Sequence, residues 1–200
     1  RLTETMPVID VPVIPMMGTL NVIANKTLAP GNYNYAGLAV GAGTLTLQGP
    51  MTLVVNNLTM LSKTRLQVDT TNGPVKMYVT GNVKLSAGSK IGTNNDSARD
   101  FEVNITSNNI TGGKIIDLQS NAEFKGTIYA PNARIKVPSN FKVFGAIKAK
   151  FAELASNTQV HFDEDLLYDP NAEDILELVS WRRLSQDETS AVEAAGGALP

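Results

Sequence analysis

The chain contains no cysteine and only one histidine in 200 residues. The first absence excludes a disulfide scaffold, a thiol nucleophile and any zinc or iron–sulfur site built on thiolates. The second excludes metal sites that need two or three imidazoles. No run of 18 or more apolar residues occurs, so no segment reads as a membrane-spanning helix. No secretory signal is legible either. A start at Arg1 instead of Met implies that an upstream segment was removed by processing or cloning, and any signal or anchor would lie there. Charged residues make up 18% of the chain, below the usual quarter, and the net charge is -2. That balance gives no general attraction to nucleic acid.

The charge is unevenly placed. Residues 1–160 carry 15 Lys and Arg against 9 Asp and Glu, while residues 161–200 carry 2 against 10. A body of net +6 is thus followed by an end of net -8. The acidic end is either a solvated tail or a segment that docks on a basic body, its own or a neighbour's.

An apolar share of 42% is ordinary for a folded domain, and 200 residues suffice for one core. Residues 1–17 set Pro7, Pro12 and Pro15 among Val, Ile and Met, which predicts an extended lead-in. From residue 18 the text becomes short alternating runs: Leu45-Thr46-Leu47, Met51 to Val55, Met77 to Val79, Val103-Asn104-Ile105, Thr127-Ile128-Tyr129. Gly, Asn, Ser and Pro punctuate them, which predicts many short strands. No long window has helical periodicity.

A repeat then emerges. Leu118-Gln119-Ser120-Asn121-Ala122-Glu123-Phe124 matches Val137-Pro138-Ser139-Asn140-Phe141-Lys142-Val143, and both match Leu154-Ala155-Ser156-Asn157-Thr158-Gln159-Val160. Looser copies begin at Leu85 and Leu61. Intervals of 19 and 17 residues are too short for a helix–turn–helix unit and fit one coil of a strand solenoid. Asn tolerates the left-handed backbone that sharp corners need. The fold class expected is all-β: a right-handed parallel β-helix with a short C-terminal helix or strand as cap. The hand follows the general rule for parallel crossovers. The organisation expected is a lead-in over 1–17, a β-helix over 18–166, a capping segment over 167–185 and a disordered acidic tail over 186–200. Asp169-Pro170-Asn171 reads as a helix start, Ile175, Leu178 and Val179 share a face, and Arg182 and Arg183 close the end.

No constellation for catalysis is found. His161 has Asp163 and Asp165 close by, but it sits in a strand-like Val-His-Phe run and reads as a structural or surface residue. Asp96 and Asp100 lie close to Glu102 in and just after the polar stretch 91–101, which reads as a loop ejected from a corner. They lack the spacing of a calcium loop. Gly41-Ala42-Gly43 is followed by no Gly-Lys-Ser/Thr and reads as a corner, not a phosphate cradle. Lys136, Lys142, Lys148 and Lys150 recur at alternating positions, and some of them suggest an outward ladder that protects edges or meets an acidic partner or anionic polysaccharide. Asn25, Asn57, Asn104 and Asn109 each open an Asn-x-Thr triplet that composition alone explains. Catalytic, cofactor-binding and metal residues are therefore all expected to be none.

Several runs carry a resemblance. They are Leu28-Ala29-Pro30-Gly31-Asn32-Tyr33-Asn34-Tyr35, Gly49 to Val55, Tyr78 to Leu85, Gly126-Thr127-Ile128-Tyr129-Ala130-Pro131-Asn132-Ala133 and Val160-His161-Phe162-Asp163-Glu164-Asp165-Leu166. In this order, over roughly residues 7–185, they resemble the repetitive C-terminal domain of PilX-type, pilus assembly-associated bacterial surface proteins. A weaker, fold-level likeness links them to bactofilin-type polymer-forming β-helices. The resemblance implies a β-helix and a location at the bacterial surface or cell envelope, and it carries over no catalytic residue.

Two functions are expected from these readings. The first is a non-enzymatic structural or adhesive envelope protein, pilus-associated or filament-forming. Its partners would be itself, head to tail, or other pilus or envelope proteins. The second is a carbohydrate-binding or polysaccharide-cleaving β-helix. It would need exposed aromatic platforms, drawn from Tyr33, Tyr35, Tyr78, Tyr129 and Phe144, with a carboxylate on the same face.

Overall fold

The computed structural model describes residues 6–95, 97–109 and 116–167. The strands in chain order are β1 (Thr19–Val22), β2 (Lys26–Leu28), β3 (Gly31–Val40), β4 (Thr44–Gln48), β5 (Met51–Met60), β6 (Arg65–Asp69) and β7 (Val75–Val79). They continue as β8 (Val83–Leu85), β9 (Lys90–Thr93), β10 (Phe101–Ile105), β11 (Ile116–Leu118), β12 (Glu123–Val137), β13 (Lys142–Leu154) and β14 (Gln159–His161). The recorded pairings are all parallel. Each pairing joins a residue to its counterpart one coil later. The chain is a parallel β-helix.

Three faces wind round one core. The first holds residues 31–35 of β3, 51–55 of β5, β7, β10, and the middles of β12 and β13. The second holds β1, 37–40 of β3, 57–60 of β5, β8, β11 and the ends of β12 and β13. The third holds β2, β4, β6, β9, the starts of β12 and β13, and β14. Strands β3, β5, β12 and β13 run through corners without a break, so the three faces form one continuous hydrogen-bonded sheet.

Alternation decides what is inside. On the third face Leu45, Leu66, Ile91, Phe124 and Val143 stack in register and are all buried. On the second, Leu20, Leu38, Leu58 and Val83 do the same. On the first, Leu53, Met77, Val103 and Ile128 do. These aliphatic ladders are one hydrophobic core. A coil alone would leave its inner row wet, so stability comes from neighbours.

One corner shows how the repeat is built. Lys63, Asn121, Asn140 and Asn157 all have φ near +60°, and Gly88 has φ +71°. The register of the adjoining strands places these five in one column, coil upon coil. The Asn of each Ser-Asn pair is therefore the left-handed residue of a turn. Next to the column, the amides of Thr64, Ser89, Phe141 and Thr158 each donate to the carbonyl three residues back. A second bend needs glycine for another reason. A Cβ on Gly145, φ +126°, would lie 2.0 Å from the Gly126 carbonyl oxygen of the coil before.

The stretch 91–101 departs from the expected ejected loop. Ile91 to Thr93 belongs to β9, and only the link to the 3-10 turn at Ala98–Asp100 leaves the sheet. That link folds back onto the body. The Asn95 amide donates to Thr70 Oγ1 at 2.6 Å, and Ala98 is buried with its Cβ facing Gly145. The amides of Asn94 and Asn95 thus tie the excursion to Asp69 and Thr70 of the coil before. The expected cap over 167–185 and the tail over 186–200 lie outside the described residues.

The corner geometry makes a stability test. Lys63→Gly should raise stability by about 0.5–1 kcal/mol, because lysine pays for its left-handed backbone. Asn140→Ala should lower it by about 1 kcal/mol. Gly145→Ala should cost about 2–3 kcal/mol, since its Cβ meets backbone that cannot turn aside. Denaturant unfolding of the three variants would check the order.

Candidate functional site at the last coil of the solenoid

The inner ladder of the third face does not end in a covered residue. Val143 is buried, but its register partner Val160 is 47% exposed. On the second face Val137 is buried while its partner Leu154 is 58% exposed. Both are core positions by alternation, displayed because no further rung lies on them among the described residues. Phe151 and Phe162 add exposed apolar surface beside them. The strand edges here are β14 and the last residues of β13, and a strand edge presents free backbone donors and acceptors.

The first coils are closed differently. Tyr33 and Tyr35 point inward from the first face and stack, with ring centroids 6.2 Å apart and planes 7° from parallel. Tyr35 is buried, and Tyr33 donates its hydroxyl to the Ala29 carbonyl at 3.0 Å. Burial, and secondarily the neighbouring Tyr33, pushes the Tyr35 hydroxyl pKa up. These two rings belong to the core and offer no platform to a sugar.

His161 is exposed and stacks on Phe144, with centroids 4.8 Å apart and planes 9° from parallel. Asp163 turns elsewhere: its Oδ2 accepts the Ala98 amide proton at 2.7 Å, tying the chain after β14 to the 3-10 turn. Asp96 lies outside the described residues. Glu102 faces Lys76 at 3.8 Å, and Asp100 meets the Asn95 amide at 3.5 Å. Among the described residues no three carboxylates or imidazoles converge in a way that could hold a metal.

The four lysines do not make one ladder. Lys142 stands on the third face, Lys148 on the first beside Tyr129, Lys136 on the second opposite Glu153, and Lys150 at a corner. Their alternation in sequence runs along strands that turn corners, so it spreads them round the solenoid. Gly41-Ala42-Gly43 is a corner. The amides of Gly41 and Ala42 donate to the Val22 carbonyl, and a Cβ on Gly43 would strike Asn25 Oδ1 at 2.8 Å.

The Asn-x-Thr residues have structural work that the sequence alone did not disclose. Asn25 Oδ1 accepts the Thr44 amide proton at 2.9 Å, Asn57 Oδ1 that of Asn82 at 3.0 Å, and Asn109 Oδ1 that of Arg134 at 2.6 Å. Asn104 is buried. Each bracket joins adjacent coils, over separations of 19, 25 and 25 residues. Spacing offers no signal for them, since these asparagines do not recur at one coil interval; it is each partner that lies one coil on.

A shallow concavity of about 400 Å³ lies on the outer side of the third face. Arg65, Gln67, Lys90, Asn94 and Lys125 line it, and Gly92 leaves its floor bare. Glu123, its carboxylate, is held by Lys90 at 2.8 Å. At its margin Asp69 accepts bonds from the hydroxyl and amide of Thr71, at 2.7 and 3.1 Å.

Those Thr71 bonds favour the ionised form and lower the Asp69 pKa. The sign follows. A depressed folded pKa contributes stability above the unfolded value, and that contribution is lost as pH falls through the folded one. Thr71→Val should move the Asp69 midpoint upward, read by carboxyl NMR titration. An unchanged midpoint would show that the hydroxyl is not its partner in solution.

No curated protein matches the chain, and no solved structure does. Residues 15–168 match the model of one family, described as a domain of unknown function, DUF7305. That span takes in every described rung, from β1 to β14. This chain, whose matched span is the three-faced parallel β-helix described above, belongs to the DUF7305 family.

Proposed function

We propose that this protein is a non-enzymatic structural or adhesive subunit of the bacterial cell envelope, pilus-associated or filament-forming, which assembles end to end. The observation that carries the reading is the last rung. Val160 and Leu154 occupy inward ladder positions yet stand 47% and 58% exposed, beside strand edges that pair with no further strand among the described residues. The surface best matched to them is another rung with the same spacing and the same inward row, and a second copy of the chain brings one. The two ends differ, since the inward tyrosines fill the first. A contact between unlike ends does not close on itself and yields a filament. The net +6 of residues 1–160 and net -8 of residues 161–200 would add a salt-screened attraction between successive copies. The pilus link rests on the sequence resemblance to PilX-type proteins, and the bactofilin comparison is one of fold.

A second reading has one observation of its own. The concavity on the third face carries cations and amides, and the register row Gln67, Gly92, Lys125, Phe144, His161 runs from it to the stacked ring pair. Such a row suits an extended anionic polysaccharide. Of the aromatics weighed for this role, Phe144 is the one on this face; Tyr78 and Tyr129 stand on the first.

Negative-stain microscopy and light scattering of the full chain across concentration and salt test the first reading. Salt-sensitive end-to-end oligomers are expected. Val160→Asp should abolish them and leave the circular dichroism spectrum unchanged, because a charge tolerated at an exposed rung is costly in a dry stack. A monomer at every concentration would end self-assembly by this chain alone and favour the polysaccharide reading.

A further inference from the structure

The first face has a covered channel on its outside. The outward row there is Asn34, Val54, Tyr78, Asn104, Tyr129 and Lys148, one residue from each coil. Outward positions should be wet, yet Val54 and Asn104 are each only 5% exposed. The lead-in accounts for this. The Met17 amide donates to the Asn34 carbonyl at 2.7 Å, and the Asn34 side-chain amide donates to the Ile14 carbonyl at 2.6 Å. Four rungs on, the Tyr129 hydroxyl donates to the Pro7 carbonyl at 2.6 Å. The lengths agree. Four rung spacings are about 19 Å, and the seven residue steps from Pro7 to Ile14 span about 22 Å as an extended proline-rich chain.

We propose that residues 7–17 are an exchangeable strap, and that this channel also accepts the same segment from a second copy of the chain. The occupant is given by the structure, because the segment seated in the channel is one that every copy carries. Among the described residues, hydrogen bonds at Asn34 and at Tyr129 hold it, and no strand ladder is assigned between them. Met6, Ile9, Val11 and Ile14 turn partly toward the body, while Val8, Val13, Met16 and Met17 are exposed. The pivot is Gly18, at φ +78° with no atom within 4 Å of where its Cβ would stand. Pro7, Pro12 and Pro15 restrict the detached segment, so reseating it orders little. Exchange remakes every contact, and swapping an identical element is a low-cost route to association. The balance is then set by concentration against the effective concentration of the tethered segment. The tethered form holds in dilute solution and exchange takes over in a crowded array. This lateral contact is independent of the end contact proposed above.

The lack of native cysteine makes a clean test. Full-length chains carrying Val8→Cys alone, Lys148→Cys alone, or both are treated with a short bis-maleimide. The double variant should cross-link within one chain in dilute solution. An equal mixture of the single variants should cross-link between chains, half-maximally at concentrations on the order of 1 mM. A synthetic peptide of residues 6–17 in excess should suppress that product. Thr46→Cys, on the third face, replaces Lys148→Cys as the collision control and should give far less. Repeating the mixture with Val160→Asp in both chains removes the end contact and should leave the strap cross-link. The proposal is overturned if mixed single variants link no better than the collision control. It is equally overturned if the double variant fails to link within its own chain.

Discussion

Everything in this fold hangs on the parallel register between one coil and the next. In a β-helix the backbone donors and acceptors of a rung are satisfied by the rungs above and below, and so is its apolar row. That dependence explains why like stacks on like: Leu45 on Leu66 on Ile91 inside, and Lys63 on Gly88 on Asn121 at the corner. A coil that changed the hand of a corner or the parity of a strand would turn its inward row outward and spoil the coils on both sides. Gly126 and Gly145, paired in register at the same bend, show how closely successive backbones approach there.

The asparagines extend the same constraint to side chains. Where strands stop, backbone amides near the corners have no ladder partner. Asn25, Asn57 and Asn109 supply carbonyl oxygens to amides one coil later, replacing the missing main-chain acceptor. Asn121, Asn140 and Asn157 do a different task with the same side chain, by tolerating the left-handed backbone. One residue type thus meets two demands of a corner.

How much of this the sequence disclosed depended on coil length. In the last coils the rungs fall 19 and 17 residues apart, Phe124 to Val143 to Val160, and there the Ser-Asn repeat announced both the solenoid and its corners. Earlier the interval stretches to 25 and then 33 residues, Leu66 to Ile91 to Phe124, and the pattern dissolves. Parity cannot be carried across an excursion of unknown length. That is why the polar stretch after Ile91 read as a longer loop than it is, and why Lys136, Lys142, Lys148 and Lys150 read as one ladder although corners send them to different faces. Tyr33 and Tyr35 were ambiguous for a related reason: alternation puts them on the same side of a strand, and only the register with Leu53 and Val55 says that side is the core. That Val160 and Leu154 stand exposed at inward positions was not legible at all. Exposure of an inward position is a property of what lies next to it, not of the residue.

A solenoid has no intrinsic length, so something other than the repeat must end it. At the first coils two large rings pack into the interior, and the Tyr33 hydroxyl donates to the Ala29 carbonyl. At the last, an aliphatic row stands beside strand edges that no further strand pairs among the described residues. Proteins usually suppress such edges with charge, proline or a covering segment. Here the inward row at the edge is Val and Leu, with Phe151 and Phe162 nearby and the Arg134 guanidinium lying over the Phe151 ring at 5.1 Å. An edge of that composition is costly in water and favourable against another rung. The physical problem of ending the helix and the proposed work of joining it to a neighbour therefore fall on the same few residues.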